Sequence, residues 1–250
     1  HNQSRRQRQM CIRDRSLLRR LMERDGYEHN IDRLNDELPL LGTDIDACDE
    51  NQLDIEIFPD RPDLLSGETL AYAMANFLHG APASPDLEVQ PSGVTMTVDP
   101  ALRDIRPVIY GALVRNVALP ENNEDVEQFI KGLMDHQEKL HFALGRGRQR
   151  ASIGVHDFAA LAPPFRVTAV EGDRTFVPLA CDQPMSVSDV LLQHTKGVEY
   201  AHLLEGMSRY PLILDKNDDV LSFPPIINGD HTTVTHLSLI HISEPTRLRR

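Results

Sequence analysis

The sequence predicts an α+β protein, with a small N-terminal α/β module followed by a larger domain built on a mixed sheet. Three observations carry that prediction. The 250 residues suit one large domain or two ordinary ones and leave ample chain for a core. Helical and strand periodicities alternate irregularly, with no βαβ succession and no internal repeat. Between 80 and 100, four prolines (Pro82, Pro85, Pro91, Pro100) interrupt the chain and read as the connector between two parts.

Each element follows from its pattern. Residues 16–25 (SLLRRLMERD) predict an amphipathic helix capped by Ser16, with Leu17, Leu18, Leu21 and Met22 as one stripe and Gly26 as its stop. A second short helix near Ile31 to Leu38 places Ile31, Leu34 and Leu38 together. LDIEIF (53–58) alternates strictly and predicts a half-buried strand, ended by PDRPD (59–63). Ser66 then caps a helix over about 67–79, with Leu70, Met74, Phe77 and Leu78 expected inward. Within the connector only VTMTV (94–98) has strand character. VIYGALVRNV (108–117) predicts a buried strand. Residues 123–144 predict the clearest helix, with a core stripe of Val126, Phe129, Ile130, Leu133, Met134, Gln137 and Leu140, and Gly145 as C-cap. Strands are expected at ASIGV (151–155) and RTFVPL (174–179), a helix after Ser186, and a hairpin from YPLILD (210–215) through KNDD (216–219) to VLSF (220–223).

Composition removes several function classes. No apolar run approaches the ~18 residues of a membrane helix, and no basic-then-apolar leader opens the chain. Three cysteines, 37 and 133 residues apart, exclude CxxC metal knuckles and a disulfide framework. Residues 1–15 hold five arginines and one aspartate without any period. Residues 237–250 end as arbitrarily, and both stretches read as non-native tails. Setting aside their eight basic and two acidic residues leaves 18 basic against 36 acidic over 16–236, a net charge of −18. With 4 lysines to 22 arginines, such a surface fits a salt-adapted cytoplasm. It also repels phosphate, so no general DNA binding is expected and any RNA contact must come from a local patch.

The GRGRQR loop (145–150) supplies that patch, with Arg146, Arg148 and Arg150 on alternate positions after a helix C-terminus, where arginines also complement the helix dipole. SFPPIING (222–229) follows a strand, contains two φ-fixing prolines and ends in Asn-Gly. Such a stiff loop presents backbone groups to a ligand, while Ser222 and Asn228 offer hydrogen bonds to an ester, a ribose hydroxyl or a water. His156 is placed to orient a hydrolytic water or hold a terminal adenosine, or else to bond a backbone group while Asp157 caps the next turn. Thr232 and Thr233 extend the polar lining. His136 and His141, five apart, share no helical face, so no metal site is expected.

Four segments carry a family likeness. DIEIFPDRPDLLSGETLAYAMANFLHG (54–80) resembles the NRPDLLS signature of the phenylalanyl-tRNA synthetase β subunit in its archaeal and eukaryotic form, with Asp60 in place of Asn. IRPVIYGALVRNV (105–117), LMDHQEKLHFALGRGRQRASIGVHDF (133–158) and PLILDKNDDVLSFPPIING (211–229) resemble later segments of that subunit, in the expected order. The resemblance covers about 16 to 235. It implies residues 16–80 as the N-terminal β-subunit module, 81–104 as connector and 105–236 as an incomplete tRNA-editing domain. The family continues past this loop into a strand carrying the acidic residue expected to read tyrosine's hydroxyl. That strand is not matched here, so a loosely folded C-terminal end is expected.

The resemblance further implies a cytoplasmic α2β2 enzyme. In it the α subunit holds ATP and Mg²⁺ and charges phenylalanine tRNA, while the β subunit binds tRNA and hydrolyses tyrosine wrongly attached to it. The need is physical: a hydrophobic pocket rejects an analogue that merely adds a hydroxyl by only about 10²-fold. By resemblance, Phe223, Pro224, Pro225 and Gly229 line the editing pocket, which Thr233 extends; the residues' own chemistry makes Ser222, Asn228 and His156 the catalytic candidates and Arg146, Arg148 and Arg150 the RNA contacts. No cofactor belongs to this part of the subunit. The rival readings are a free-standing trans-editing deacylase, which has no use for DRPDLLS, and a non-catalytic scaffold for subunit assembly and tRNA docking.

Overall fold

The structure, a computed structural model, describes residues 9–12, 23, 26, 31–49, 53–80, 88–117 and 123–235. Of the helix expected over 16–25 only Glu23 is described, and the C-terminal end beyond 235 lies outside the described residues. The chain divides into two compact units, His1–Glu88 with Lys131–Arg150, and Val89–Ile130 with Ala151–Arg250.

The first unit holds β1 (Gln9–Ile12), α1 (Ile31–Glu37), β2 (Thr43–Cys48), β3 (Leu53–Ile57) and α2 (Gly67–His79), together with the C-terminal part of α3 (Asn123–Ala143). The strict alternation of LDIEI makes β3 the central strand of an antiparallel sheet, ordered β1-β3-β2, with Leu53, Ile55 and Ile57 all buried. Leu34, Leu38, Leu41, Leu64, Leu70 and Met74 complete the core against them. Burying each side chain of that size contributes roughly 1.5–3 kcal/mol.

Ser66 caps α2 as expected: its hydroxyl accepts from Thr69 N–H at 3.2 Å, and Thr69 Oγ1 in turn accepts from Ser66 N–H. Phe77 does not turn inward. It is 60% exposed, because the buried stripe of α2 is narrow and runs through Leu70, Ala71, Met74 and Ala75. In the preceding loop Arg61 forks onto both carboxylate oxygens of Asp63, at 3.0 and 2.8 Å, and also donates to the carbonyl of Leu41. This ion pair raises the arginine's affinity for its proton and lowers that of Asp63.

The second unit is built on a five-stranded mixed sheet of β4 (Met96–Val98), β5 (Phe165–Val170), β8 (Tyr210–Leu214), β9 (Val220–Phe223) and β10 (Ile227–Asn228), in the order β10-β9-β8-β5-β4. The strand inside the predicted 81–104 connector is its edge strand β4, parallel to β5; the other pairs are antiparallel. The remaining strands, β6 (Thr175–Phe176) and β7 (Met185–Ser186), pair with each other and lead into α4 (Val187–Gln193), the helix expected after Ser186, whose side chain caps it, and α5 (Thr195–Tyr200). Both sheet faces are covered. Leu212 and Leu214 of β8 pack with Val187, Val190 and Phe223, whereas Ile213 packs on the other side with Phe165, Val167 and Leu221. The hairpin of β8 and β9 forms as predicted, its turn held by Asp215, whose carboxylate accepts from the backbone N–H groups of Ala162, Asn217 and Asp219.

Several strand expectations fail. Residues 106–117 form no strand, and Val108, Tyr110 and Val114 are 65%, 92% and 72% exposed. A run of β-formers is a strand only when another strand completes its ladder, and among the described residues none pairs with it. ASIGV (151–155) is likewise without regular structure, and RTFVPL contracts to β6 plus a single bridge between Pro178 and Gly229. α3 forms as predicted, though of its expected stripe only Val126 is fully buried. Its last carbonyls are closed by Leu144 and Gly145, both donating to Leu140 O, and the left-handed residues come after, at Arg146, Gly147 and Arg148.

Candidate functional site

The Pro224–Ile226 turn folds β10 back onto β9 in a tight hairpin, which places Asn228 directly opposite Ser222. Residues opposed across a ladder project to the same face, and here they bond: Ser222 Oγ donates to Asn228 Oδ1 at 3.0 Å. Asn228 Nδ2 donates to Val155 O at 3.3 Å, tying the hairpin to the 151–157 segment. Ser222 is buried and Asn228 half-buried, so neither points into bulk solvent. Each keeps bonding capacity, Ser222 its remaining lone pairs and Asn228 its second amide proton.

The segment 154–157 lies along this hairpin. Asp157 N–H donates to Thr232 O at 3.0 Å, and the Asp157 carboxylate caps the turn at Phe158–Ala160 by accepting from Ala159 N–H at 2.9 Å. His156 Nδ1 stands 2.9 Å from Thr232 Oγ1. The imidazole is half-buried, and burial, with a smaller contribution from His231, pushes its pKa down to about 4. It is therefore neutral at neutral pH, with one nitrogen donating and the other accepting. A side chain on Gly154 would come within 2.8 Å of His156 Nε2 and 3.3 Å of Asn228 Oδ1, so the bare backbone there lets these two polar groups converge.

The other loop candidates separate by role. Phe223 is fully buried, edge-on to Phe176 and Tyr210 with ring centroids 6.4 and 6.0 Å away. A ring so covered offers a ligand no surface. Phe223 is therefore not a pocket wall but the apolar anchor that fixes the hairpin from beneath. Pro225 and Gly229 are buried as well, which leaves Pro224 with side-chain surface to present. Gly229 is demanded sterically, since a Cβ would sit 2.1 Å from Val220 O. Thr233 spends its hydroxyl on Asp230 O at 2.6 Å, while the wholly buried Thr232 faces His156. An open groove lined by Leu191, Leu204, Met207 and Tyr210 contains none of the Ser222–Asn228–His156 cluster.

The basic loop belongs to the first unit and divides differently from its sequence spacing. Arg146 and Arg150 are exposed, whereas Arg148 is 6% exposed and its guanidinium is paired with Glu138. The same Glu138 oxygen lies 3.2 Å from Nδ1 of the buried His141. Arg148 thus anchors the loop and does not form a third point of a phosphate patch. Among the described residues no group of three or more His, Cys, Asp or Glu is arranged to hold a metal ion.

Sequence reasoning missed the His156–Thr232 contact and the Asn228–Val155 tie. Both join segments more than 70 residues apart, and no local spacing signals them.

No protein-family model matches the chain. Among curated proteins, it is 46% identical over 203 residues to a phenylalanine–tRNA ligase β subunit of Methanococcoides burtonii, covering 81% of this chain and 36% of the relative. The β subunit of Methanothrix thermoacetophila is 45% identical over 201 residues, with 80% and 36% covered, and that of Archaeoglobus fulgidus 39% over 204, with 82% and 36%. The chain therefore spans about a third of the length of these relatives. Among solved structures, an N-terminal fragment of the phenylalanyl-tRNA synthetase β subunit from Pyrococcus horikoshii superimposes with a TM-score of 0.80 at 33% identity, over 92% of this chain and 65% of that one.

Proposed function

This chain is homologous to the archaeal phenylalanine–tRNA ligase β subunits over the third of their length that it spans, and from that premise we propose that it supplies tRNA binding and hydrolytic editing of tyrosine mischarged onto phenylalanine tRNA. The observation that carries the reading is that Ser222 bonds Asn228 across the hairpin while His156 Nε2 and Asn228 Oδ1 both approach Gly154, with hydrogen-bonding capacity left over. In the reaction a water oxygen bonds to the ester carbonyl carbon, the carbon–ribose oxygen bond breaks, and a water proton ends on the departing ribose oxygen. Ser222 and Asn228 position the ester and terminal ribose, and His156 takes part as a neutral imidazole. Arg146 and Arg150 contact the RNA backbone. The chain works beside an α subunit in an α2β2 cytoplasmic enzyme. ATP and Mg²⁺ serve phenylalanylation on that α subunit, and no editing step here runs through them.

Deacylation of tyrosyl-tRNA, with phenylalanyl-tRNA as control, tests the reading. The assay sets this chain against one extended beyond Thr235 by the corresponding residues of a relative. Tyrosine release in the extended form, reduced about 10²-fold or more by Ser222→Ala or Asn228→Ala, is the expected result. The second reading, a scaffold for subunit assembly and tRNA docking, is favoured by one observation: Ser222 and Asn228 bond each other and the backbone. Hydrolysis in neither form, with tRNA binding retained, establishes the scaffold.

A further inference from the structure

Thr232 Oγ1 sits among three neighbours: Gly229 O at 2.9 Å, Leu221 O at 3.4 Å and His156 Nδ1 at 2.9 Å. The two carbonyls can only accept. A hydroxyl has one proton to give, and giving it to Gly229 O satisfies the shorter of those bonds. Among the described residues the ring nitrogen then becomes the only group able to donate to Oγ1, and the pair makes two full hydrogen bonds. The opposite arrangement, with the hydroxyl donating to a bare Nδ1, makes one bond and leaves the oxygen's lone pairs without a donor in a residue that is 0% exposed.

We propose that Thr232 is a positioning residue that fixes His156 in the tautomer protonated on Nδ1, so that Nε2 is held as a hydrogen-bond acceptor beside Gly154 and Asn228. Nε2 has no hydrogen-bond partner among the described residues, and the approach it makes to the Gly154 backbone is open only because that residue lacks a side chain. The same burial that depresses the ring's proton affinity keeps this lone pair available at neutral pH. The consequence rests on the editing reading above: Nε2 accepts a hydrogen bond from the attacking water and turns its oxygen toward the ester, without itself carrying the proton away.

The tautomer is measured directly by ¹⁵N–¹H correlation of histidine-labelled chain at neutral pH, with the His156 signals assigned by their loss in His156→Gln. The expected wild-type pattern is a pyrrole-type nitrogen at Nδ1 and a pyridine-type nitrogen at Nε2. Thr232→Val keeps the side-chain shape and removes the hydroxyl, and moves the proton to Nε2, while Thr232→Ser restores the wild-type pattern. A wild-type ring protonated on Nε2, or a Thr232→Val spectrum unchanged at His156, overturns the proposal; the wild-type measurement stands even if the valine variant fails to fold. In the deacylation assay Thr232→Val lowers kcat by about 10-fold with KM little changed. A shifted tautomer with unchanged kcat overturns the positioning role. Absence of hydrolysis in every form with the Nδ1–H tautomer present overturns the editing reading and upholds the tautomer.

Discussion

The imidazole of His156 is buried enough that its pKa falls from 6.5 to about 4, which gives the second unit one acid-sensitive group. As pH drops below 6.5 the unfolded chain takes up this proton while the folded chain does not. The contribution to stability is thus intact above 6.5 and lost progressively as the pH falls toward about 4. The shift is worth at most about 3 kcal/mol, less for the ring's remaining exposure. Urea midpoints measured between pH 7 and pH 4 are expected to decline, and His156→Gln, which cannot titrate, to flatten that decline. A slope identical in the variant shows that other groups carry it. Residue identity alone made His156 a candidate, but which of its two roles it takes depends on atoms of Thr232 and Asn228, which meet it only after folding. Phe223 shows the converse. Its place in a loop motif marked it as lining, yet a large apolar ring is most stable where it is fully covered, and the sheet supplied that place.

Among elements, those whose signal is local formed as read. The Ser66 cap of α2, the alternation of β3 and the helix after Ser186 each rest on signals within a few residues. Residues 108–117 and 151–155 have equally good strand composition but need a partner strand, and composition cannot say whether one arrives. The loop after α3 gives a test at this scale. Arg148, buried on Glu138, is structural, whereas Arg146 and Arg150 are exposed. Arg148→Ala is expected to lower stability by about 1–2 kcal/mol through lost packing and pairing. Arg146→Ala and Arg150→Ala should leave stability within about 0.5 kcal/mol and shallow the salt dependence of tRNA binding by about one unit of slope each. Equal effects of all three on binding, with none on stability, would show that Arg148 is part of the patch.

For the whole molecule the governing quantity is charge, with 38 acidic against 26 basic residues. Self-repulsion of that excess weakens the compact state at low ionic strength and is screened once the Debye length falls to a few Å. Raising salt to about 0.5 M is expected to stabilise the chain by on the order of 1 kcal/mol in a thermal or urea melt, and a flat or falling response rules this out. Among the described residues no helix is long and apolar enough to cross a membrane. The sequence by itself determined the α+β class, the capped helices, the β8–β9 hairpin and the family likeness, because those signals are written in neighbouring residues and fixed motifs. Only the tertiary structure decided that the segment at 154–157 meets the hairpin at 222–233, that Phe223 and Arg148 turn inward, and that Thr232 faces His156. Such contacts join distant stretches of chain, and they exist only where packing brings donor and acceptor to within about 3 Å.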